Sequence, residues 1–220
     1  MIRAVILNLD GVLVSTDECH YKAWQRLAYE QGLPFSTDLY RKLAGRKRMD
    51  SLKVLLQKAE RNYSPAEMWA LSARKNDLFN SLIDELGPES ILPGALETVK
   101  SLRDMGVKTA VASSSENANG ILRQFKIRTY FDAIVDGGDI ERGKPDPEAF
   151  LLAARRLSTP IRECLVIENS EAGMTAAKDA GMRAVMVDGS VKELSAKKIY
   201  PSLSDIDFSR LLYEPESEKR

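Results

Sequence analysis

The segment Ala4-Val5-Ile6-Leu7-Asn8-Leu9-Asp10-Gly11, close to the N-terminus, decides the fold. Residues 4–9 form an apolar run of strand length that only Asn8 interrupts, and the run stops at Asp10-Gly11, a dipeptide typical of turns. We therefore predict a buried strand that ends in a turn, with polar side chains at its carboxyl end.

Four more apolar runs of the same kind follow, at residues 107–112, 133–135, 164–167 and 184–187. Helical patterns lie between the later runs. Strands that alternate with helices along a chain form parallel sheets with right-handed crossover connections. The predicted fold class is therefore α/β, a Rossmann-like parallel sheet with helices on both faces.

The first two runs are separated by about 100 residues, far more than one crossover requires. Within this gap, helical patterns cover residues 18–31, 38–61 and 65–85. Ser64 and Glu67 resemble a capping box, with Pro65 at the first helical position. We predict an inserted all-helical cap domain over residues 16–91. Residues 1–15 and 92–220 form the predicted core domain, whose polar tail, residues 214–220, is expected to be frayed.

The composition of the 220 residues excludes several classes of protein. The 32 Lys and Arg residues balance 32 Asp and Glu residues, so no overall field attracts nucleic acid or an anionic membrane. No apolar run reaches the roughly 18 residues of a membrane span, and the first residues do not resemble a signal peptide. Cys19 and Cys164 are too few for a disulfide framework. We expect a cytoplasmic monomer without a nucleic-acid or membrane partner.

Polar residues with complementary chemistry follow the predicted strands. They are Asn8, Asp10 and Gly11 after the first run, Ser113, Ser114 and Ser115 after the second, Lys144-Pro145 after the third, and Glu168-Asn169-Ser170 after the fourth. Ligands of open α/β sheets bind at these strand ends. Hydroxyl groups, an ammonium group and acidic oxygens are the groups needed to hold a phosphoryl group and Mg²⁺. The set predicts phosphoryl transfer.

These strand ends resemble the four motifs of the haloacid dehalogenase superfamily. The matching segments are Asn8-Leu9-Asp10-Gly11-Val12, the strand ending at Ser113, Lys144-Pro145-Asp146-Pro147 and Glu168-Asn169-Ser170-x-x-Gly173. In the insert, the segments Thr16, His20, Ala23-Trp24, Asp50-Ser51-Leu52 and Arg74-Lys75-Asn76-Asp77 resemble the β-phosphoglucomutase branch. The resemblance covers nearly the whole chain and implies a core of this superfamily with a helical cap.

The resemblance also implies a role for each matching residue. Residue 8 stands at the position of the aspartate nucleophile, and Asp10 at that of the general acid and base. The implied Mg²⁺ ligands are Asn8, Asp10 through its carbonyl oxygen, Glu168 and Asn169. The implied phosphoryl-binding residues are Ser113, Ser114, Asn117 and Lys144. The implied cap residues that contact the substrate and its remote phosphate are Thr16 at the hinge, His20, Trp24, Gly45, Arg48, Ser51 and Lys75. The implied substrate is a small phosphorylated metabolite, in particular a phosphosugar.

Several of these residues also have a structural interpretation. His20 could simply hydrogen-bond within its helix, Trp24 has the spacing of a core residue, and Lys75 could be a surface lysine. Arg46-Lys47-Arg48 is a charge run, and such runs are usually solvated. The family match at this run is poor, so a phosphate-binding loop and a solvated surface are both open alternatives.

The chain departs from the family pattern at its most important position, where Asn8 replaces the nucleophilic aspartate. An amide oxygen carries no formal charge and the amide nitrogen lone pair is delocalised, so covalent transfer should be lost or very slow. Asn169 removes a further carboxylate, which should weaken Mg²⁺ binding. Asn8 has three explanations. It is a deliberate substitution of aspartate that traps ligands, it belongs to a natural chain that has lost phosphoryl transfer and only binds, or it deamidates to the working aspartate. Three functions follow: an impaired phosphoglucomutase-like enzyme, a sugar-phosphate phosphatase, or a catalytically silent phosphometabolite-binding protein.

Overall fold

The structure is a computed structural model that describes residues 1–189 and 199–213. The expectation of a frayed tail at residues 214–220 lies outside the described residues. No helix within the described ranges has the length and apolar character needed to cross a bilayer.

A parallel sheet of six strands forms the centre of the described part of the chain, in the order β3-β2-β1-β4-β5-β6. The strands are β1 (Ala4–Leu7), β2 (Lys108–Ala112), β3 (Ala133–Val135), β4 (Cys164–Glu168), β5 (Arg183–Val187) and β6 (Ile199–Tyr200). Each hydrogen-bonded pair is parallel. The predicted parallel α/β sheet is confirmed. The sequence did not predict β6, because a strand of two residues carries no pattern.

Helices of the core cover both faces of the sheet, and further helices form the insert. In chain order, the α-helices of the described residues are α1 (Asp17–Glu30), α2 (Thr37–Leu43), α3 (Arg48–Leu56), α4 (Pro65–Ile83), α5 (Ala95–Asp104), α6 (Ala118–Gln124), α7 (Glu148–Arg156), α8 (Glu171–Asp179) and α9 (Phe208–Leu211). Val5 and Leu7 of β1 pack in the apolar cluster that includes α5 and α6, whereas Ala4 and Ile6 pack in the cluster that includes α7 and α8. Alternate residues of the strand therefore face opposite layers.

Helices α1–α4 lie between β1 and β2 in the chain and share a separate apolar cluster. Trp24 and Leu27 of α1, Leu43 of α2, and Leu52 and Leu55 of α3 are buried together in it. The predicted capping box at the start of α4 is present, since Ser64 Oγ accepts from the Glu67 amide and the Glu67 carboxylate accepts from the Ser64 amide. Helical structure in the insert is confirmed, while the boundaries of a cap domain at 16 and 91 stay a prediction.

The predicted helix over residues 38–61 is wrong, because α2 and α3 replace it as two separate helices. Gly45, in the connection between them, has a φ of +77°, a left-handed conformation that a glycine adopts without strain. A Cβ atom at Gly45 would lie 2.5 Å from Ser170 Oγ. The connection therefore brings the backbone of the insert against the loop that follows β4.

The two chain segments that join the insert to the sheet run side by side. The Ser15 amide donates to the Ser90 carbonyl oxygen at 2.7 Å, and the Leu92 amide donates to the Leu13 carbonyl oxygen at 3.0 Å. Val14 and Ile91 form an antiparallel bridge between these hydrogen bonds. The insert thus leaves and rejoins the core at neighbouring points.

Candidate active site

Most of the predicted site residues line one cavity of about 220 Å³ at the carboxyl ends of β1, β2 and β4. They are Asn8, Asp10, Ser113, Ser114, Asn117 and Asn169 from the strand-end loops, and His20, Trp24, Gly45, Arg48, Ser51 and Lys75 from the insert. Thr16, Lys144 and Glu168 do not line it. Each of these three lies directly behind the lining and is hydrogen-bonded to a residue that does.

Asn8 is the first residue after β1 and is 5 % exposed. Its Oδ1 accepts a hydrogen bond from Lys144 Nζ at 3.2 Å, and its Nδ2 donates to the Asp10 carbonyl oxygen at 3.1 Å and to Asn169 Oδ1 at 3.0 Å. The reverse orientation of the amide would place its NH₂ group against the ammonium group of Lys144. Lys144 therefore directs the Asn8 NH₂ group toward two oxygen atoms.

Lys144 and Glu168 form an ion pair behind the cavity. Their side chains are 1 % and 0 % exposed, and Lys144 Nζ lies 2.5 Å from Glu168 Oε1. Lys144 Nζ also donates to the Ala112 carbonyl oxygen at 3.0 Å. Glu168 Oε2 accepts from the amides of Asn169 and Ser170 and from Ser170 Oγ. Both charges are satisfied by the protein, which offsets the cost of removing them from water.

Asp10 presents a carboxylate to the cavity. Its Oδ1 accepts from Thr16 Oγ1 at 2.5 Å and lies 3.6 Å from His20 Nε2, while its Oδ2 lies 3.5 Å from Ser113 Oγ. Burial raises the pKa of Asp10, but the contacts with His20 and Thr16 outweigh it and hold the pKa below its ordinary value. The carboxylate is therefore ionised at neutral pH, the form in which it can accept a proton.

His20 and Lys75 connect the insert to Asp10. Lys75 Nζ lies 2.8 Å from His20 Nδ1, and the His20 ring stacks on Phe79 with the ring centroids 4.0 Å apart. Burial and the charge of Lys75 hold the pKa of His20 below its ordinary value, so its imidazole is neutral. A neutral ring that accepts from Lys75 at Nδ1 carries its proton on Nε2, which faces Asp10. His20 thus combines both interpretations, since it is packed in the core and directed at the site.

The loop that follows β2, residues 113–117, is called the serine loop here. It connects residues that line the cavity to residues behind them. Ser114 Oγ accepts from the Lys144 amide at 3.2 Å, and Ser113 Oγ accepts from the Ser115 amide at 3.0 Å. The Ser113 hydroxyl donates to Asp10 Oδ2 at the long distance of 3.5 Å, and the Ser114 hydroxyl has a proton that it can donate to an anion in the cavity. Asn117 Nδ2 donates to Asn76 Oδ1 of α4 at 2.9 Å, which connects this loop to the insert.

The oxygen atoms around Asn8 do not fit Mg²⁺ as they stand. The ion is held by oxygen ligands, among which carboxylates dominate. The carbonyl oxygen of Asp10 and Oδ1 of Asn169 already accept from the Asn8 NH₂ group, and both carboxylate oxygens of Glu168 accept hydrogen bonds. Across residues 1–189 and 199–213, no group of three or more His, Cys, Asp or Glu side chains could hold a metal ion. Asn8 presents a donor where a ligand oxygen is needed.

Asp17 and Glu116 line the cavity although the sequence did not single them out. Asp17 Oδ2 accepts from Asn169 Nδ2 at 2.9 Å. Burial, with the charges of Asp10 and Glu168, raises the pKa of Asp17 to about 7. Asp17 directly follows Thr16, but acidic residues are common in the first turn of a helix. Its position in the sequence therefore did not indicate a place in the site. Glu116 contacts Arg48, which lies 68 residues away in the chain.

Ser51 and Trp24 have structural contacts in addition to their place in the lining. Ser51 Oγ donates to the Leu43 carbonyl oxygen at 2.9 Å and so joins α3 to α2. Trp24 is buried in the apolar cluster of the insert, and Lys75 Nζ lies 5.1 Å from the centroid of its ring. Lys75 is not a surface lysine, since it is only 3 % exposed.

The burial of Lys75 is expected to make the stability of the protein depend on pH. Burial and the charge of Arg48 lower the pKa of Lys75 from 10.5 to about 7 in the folded state. The unfolded chain therefore binds more protons than the folded chain between these values, so the free energy of unfolding rises with pH. We expect Lys75 to contribute up to about 1.4 kcal/mol per pH unit between pH 7 and pH 9.

Urea denaturation of the parent protein and of Lys75→Met over this pH interval measures the effect. The Lys75→Met variant should have the flatter profile, whatever its absolute stability. Equal slopes for the two proteins would show that Lys75 remains protonated in the folded state.

Comparison with known proteins agrees with the fold and the motifs. Residues 2–181 match the family model of haloacid dehalogenase-like hydrolases. A β-phosphoglucomutase of Bacillus subtilis (strain 168) is 40 % identical over 215 residues, which cover 97 % of this chain and 95 % of that protein. A phosphorylated carbohydrates phosphatase of Thermotoga maritima is 31 % identical over 187 residues, 84 % of each protein. A crystal structure of a Clostridium difficile β-phosphoglucomutase has a TM-score of 0.86 at 32 % identity and covers 95 % of both chains.

The chain therefore belongs to the haloacid dehalogenase-like hydrolase family. The predicted resemblance to the β-phosphoglucomutase branch is confirmed, and the chain has the scaffold of an enzyme of this family.

Proposed function

We propose that this chain binds a small phosphosugar in the cavity, on the scaffold of a β-phosphoglucomutase-like phosphoryl-transfer enzyme in which Asn8 blocks the transfer step. The observation that carries the proposal is the convergence of the strand-end residues with His20 and Lys75 on one cavity. The relatives include a β-phosphoglucomutase and a phosphatase of phosphorylated carbohydrates, which supports the same class of substrate.

Residues 16–91 are proposed to act as a cap that covers the bound sugar. Their helices have an apolar cluster of their own, and polar side chains connect them to the strand-end loops. Lys47 Nζ, for example, donates to the Ile140 carbonyl oxygen at 2.7 Å. Apolar contacts join the insert to the core as well, since Cys19 and Phe79 belong to the same apolar cluster as Leu7 of β1, so opening of the cap would expose part of an apolar surface. Closure of the cap excludes water from the site.

The phosphoryl group is proposed to lie between Asn8 and the hydroxyls of Ser113 and Ser114. These residues line the cavity, and their hydroxyls can donate to an anion, the Ser113 hydroxyl after it leaves its long contact with Asp10 Oδ2. Lys144 stands behind Asn8 and orients its amide, while Ser114 holds the backbone of Lys144. This arrangement supports a phosphoryl position at the side chain of residue 8.

Asp10 is proposed to take the proton of the acceptor hydroxyl, since its carboxylate is ionised and lines the cavity. Thr16 and His20 contact Oδ1, and Oδ2 has a long 3.5 Å hydrogen bond from Ser113 that an acceptor hydroxyl can replace. The contact from Lys75 through His20 to Asp10 comes from the insert, so it is complete only with the cap in place. This dependence favours a sugar hydroxyl over water as acceptor, and thus a mutase over the alternative, a sugar-phosphate phosphatase.

Asn8 is proposed to prevent the covalent step. Its oxygen is neutral and accepts from Lys144, and its nitrogen donates to Asp10 and Asn169. The amide oxygen keeps a lone pair but is neutral and weakly nucleophilic, and the lone pair of the amide nitrogen is delocalised, so neither atom attacks phosphorus efficiently. We further propose that Mg²⁺ is a cofactor only of the form with aspartate at residue 8. If Asn8 is native, the protein is a catalytically silent phosphometabolite-binding protein.

Calorimetric titration tests phosphosugar binding by the chain as it stands. We expect glucose 6-phosphate to bind in the micromolar range, and glucose not to bind detectably. Ser113→Ala should weaken binding about 10-fold or more, because a hydrogen bond to a charged group is worth about 1.5–3 kcal/mol. Ser101→Ala, at an exposed position of α5, is the matched control and should bind as the parent does. Equal affinity for glucose and glucose 6-phosphate would contradict the proposal.

A further inference from the structure

Four polar side chains at the strand ends form one continuous chain of hydrogen bonds, which we call the amide chain. Lys144 Nζ donates to Asn8 Oδ1 at 3.2 Å, and Asn8 Nδ2 donates to Asn169 Oδ1 at 3.0 Å. Asn169 Nδ2 in turn donates to Asp17 Oδ2 at 2.9 Å. Asn8, Asn169 and Asp17 line the cavity, and Lys144 lies directly behind Asn8.

The two ends of the amide chain determine the direction of both amide groups. An ammonium group only donates hydrogen bonds, and a carboxylate only accepts them. Lys144 therefore requires the oxygen of Asn8, and Asp17 requires the NH₂ group of Asn169. The NH₂ group of Asn8 must then face the oxygen of Asn169. Asp17 thus fixes the orientation of an amide group that lies 152 residues away in the chain.

The contact between Asp17 and Asn169 is enclosed by the turn that follows Asp10. Asp17 is the first residue of α1, and Asn169 directly follows β4. Gly11 has a φ of +74°, and a Cβ atom at this residue would overlap with both side chains. No side chain at residue 11 can therefore stand between Asp17 and Asn169.

The two asparagines also change the charge of the site together. The resemblance places acidic residues at positions 8 and 169, so the asparagines remove two negative charges. This change equals the charge of one Mg²⁺ ion, so a bound phosphate would meet the same total charge without the ion. The NH₂ group of Asn8 also joins the Asp10 carbonyl oxygen to Asn169 Oδ1, as a cation would if it were bound by both oxygens.

We infer that the amide chain takes the place of a metal ion: the protein holds its phosphosugar without Mg²⁺, and Asp17 is the positioning residue that keeps the NH₂ group of Asn8 between the two oxygens. The inference rests on the proposed function and specifies how its site holds an anion. It also makes Asn8 and Asn169 a matched pair. A carboxylate at either position would face an oxygen atom with no donor between them.

The response to Mg²⁺ tests the first part of the inference. Glucose 6-phosphate is titrated into the parent by calorimetry with Mg²⁺ and with EDTA, at pH 8, where Asp17 is ionised. The two affinities should agree within about 2-fold. The melting temperature of the parent should not rise with Mg²⁺. That of Asn8→Asp should rise by about 3 °C or more, because an ion that binds only the folded state stabilises it.

A charge swap in EDTA tests the role of Asp17. Asn169→Asp puts a second carboxylate beside Asp17, so it should weaken glucose 6-phosphate binding about 10-fold or more and lower the melting temperature. Addition of Asp17→Asn restores the net charge and supplies the NH₂ group from the other side. This double variant should bind within about 3-fold of the parent.

Asn169→Asp combined with Glu18→Gln is the matched control. It restores the net charge at an exposed residue next to Asp17 but leaves the two carboxylates together, so it should bind as weakly as Asn169→Asp alone. Melting temperatures confirm that each variant is folded.

A parent that binds glucose 6-phosphate only with Mg²⁺ would overturn the inference and leave the proposed function intact. A charge-swap variant that binds no more tightly than the matched control would also overturn it, since Asp17 would then not position Asn169. If glucose 6-phosphate binds the folded parent neither with Mg²⁺ nor with EDTA, the proposed function itself fails, and the inference fails with it.

Discussion

Replacement of Asn8 by aspartate is expected to give the protein Mg²⁺-dependent release of phosphate from acetyl phosphate or from a sugar phosphate. The rate should exceed that of the parent by a factor on the order of 10³ or more, because loss of the nucleophile costs a covalent enzyme at least that much. A colorimetric phosphate assay with and without Mg²⁺ measures the gain.

The physical reason is the number of oxygen atoms that residue 8 supplies. In the parent, one amide oxygen accepts from Lys144 and the NH₂ group faces the oxygens of Asp10 and Asn169. A carboxylate of the same shape keeps the contact with Lys144 and turns a second oxygen toward the other two. The oxygen atoms of residue 8, Asp10 and Asn169 would then face one another without an N–H group between them, and their negative charges would repel. The Asn8→Asp variant should therefore require a cation at this place, whereas the parent does not.

Asn169→Asp is the matched control, because it adds the same carboxylate to the same cluster without supplying a nucleophile. It should show no comparable gain in activity. Mass spectrometry of the peptide that contains residue 8 should accompany the assay, since deamidated chains would raise the background of the parent. An Asn8→Asp variant that is inactive against a broad panel of phosphoesters would remove the enzyme proposal and leave phosphosugar binding as the function.

Lys144→Met is expected to lower the free energy of unfolding by about 3–5 kcal/mol, the cost of leaving one buried charge without its partner. Lys144 is 1 % exposed and Glu168 is 0 % exposed. Methionine fills a similar space but cannot neutralise the carboxylate or donate to the Ala112 carbonyl oxygen. Urea denaturation monitored by circular dichroism measures the loss.

The double variant Lys144→Met with Glu168→Gln should recover part of this loss, because it leaves no unpaired charge in the interior. Lys58→Met, at an exposed position, should stay within about 0.5 kcal/mol of the parent. A Lys144→Met variant as stable as Lys58→Met would show that the ion pair contributes no net stability.

The sheet could be predicted from the sequence because its strands are buried on both faces. The run around Val5 and the run around Val166 are apolar at consecutive positions, a pattern that solvent-exposed segments do not show. The break between α2 and α3 could not be predicted in the same way. Gly45 is a weak local signal, and its close approach to Ser170, which lies 125 residues further along the chain, is visible only in the folded structure.

The site was predictable where its residues directly follow a strand, as Asn8 and Ser113 do, or end one, as Glu168 does. The carboxyl ends of neighbouring parallel strands meet at one edge, so sequence position alone brings these residues together. Glu116 and Asp17 were missed because their roles depend on partners in other elements. A single carboxylate in a loop or helix start has no pattern that indicates such a partner.

The chain enters the insert at residues 13–15 and leaves it at residues 90–92, and these two segments lie next to each other. This position lets the insert change during evolution independently of the strand-end residues of the core. The closure of an inserted loop becomes only slowly less favourable as the loop lengthens, and here the two ends are already joined by backbone hydrogen bonds. Helices can therefore be gained, lost or exchanged at this junction without altering the register of the sheet. A lineage built in this way can change which sugar it selects while its strand-end chemistry stays the same, or lose that chemistry while its selectivity persists.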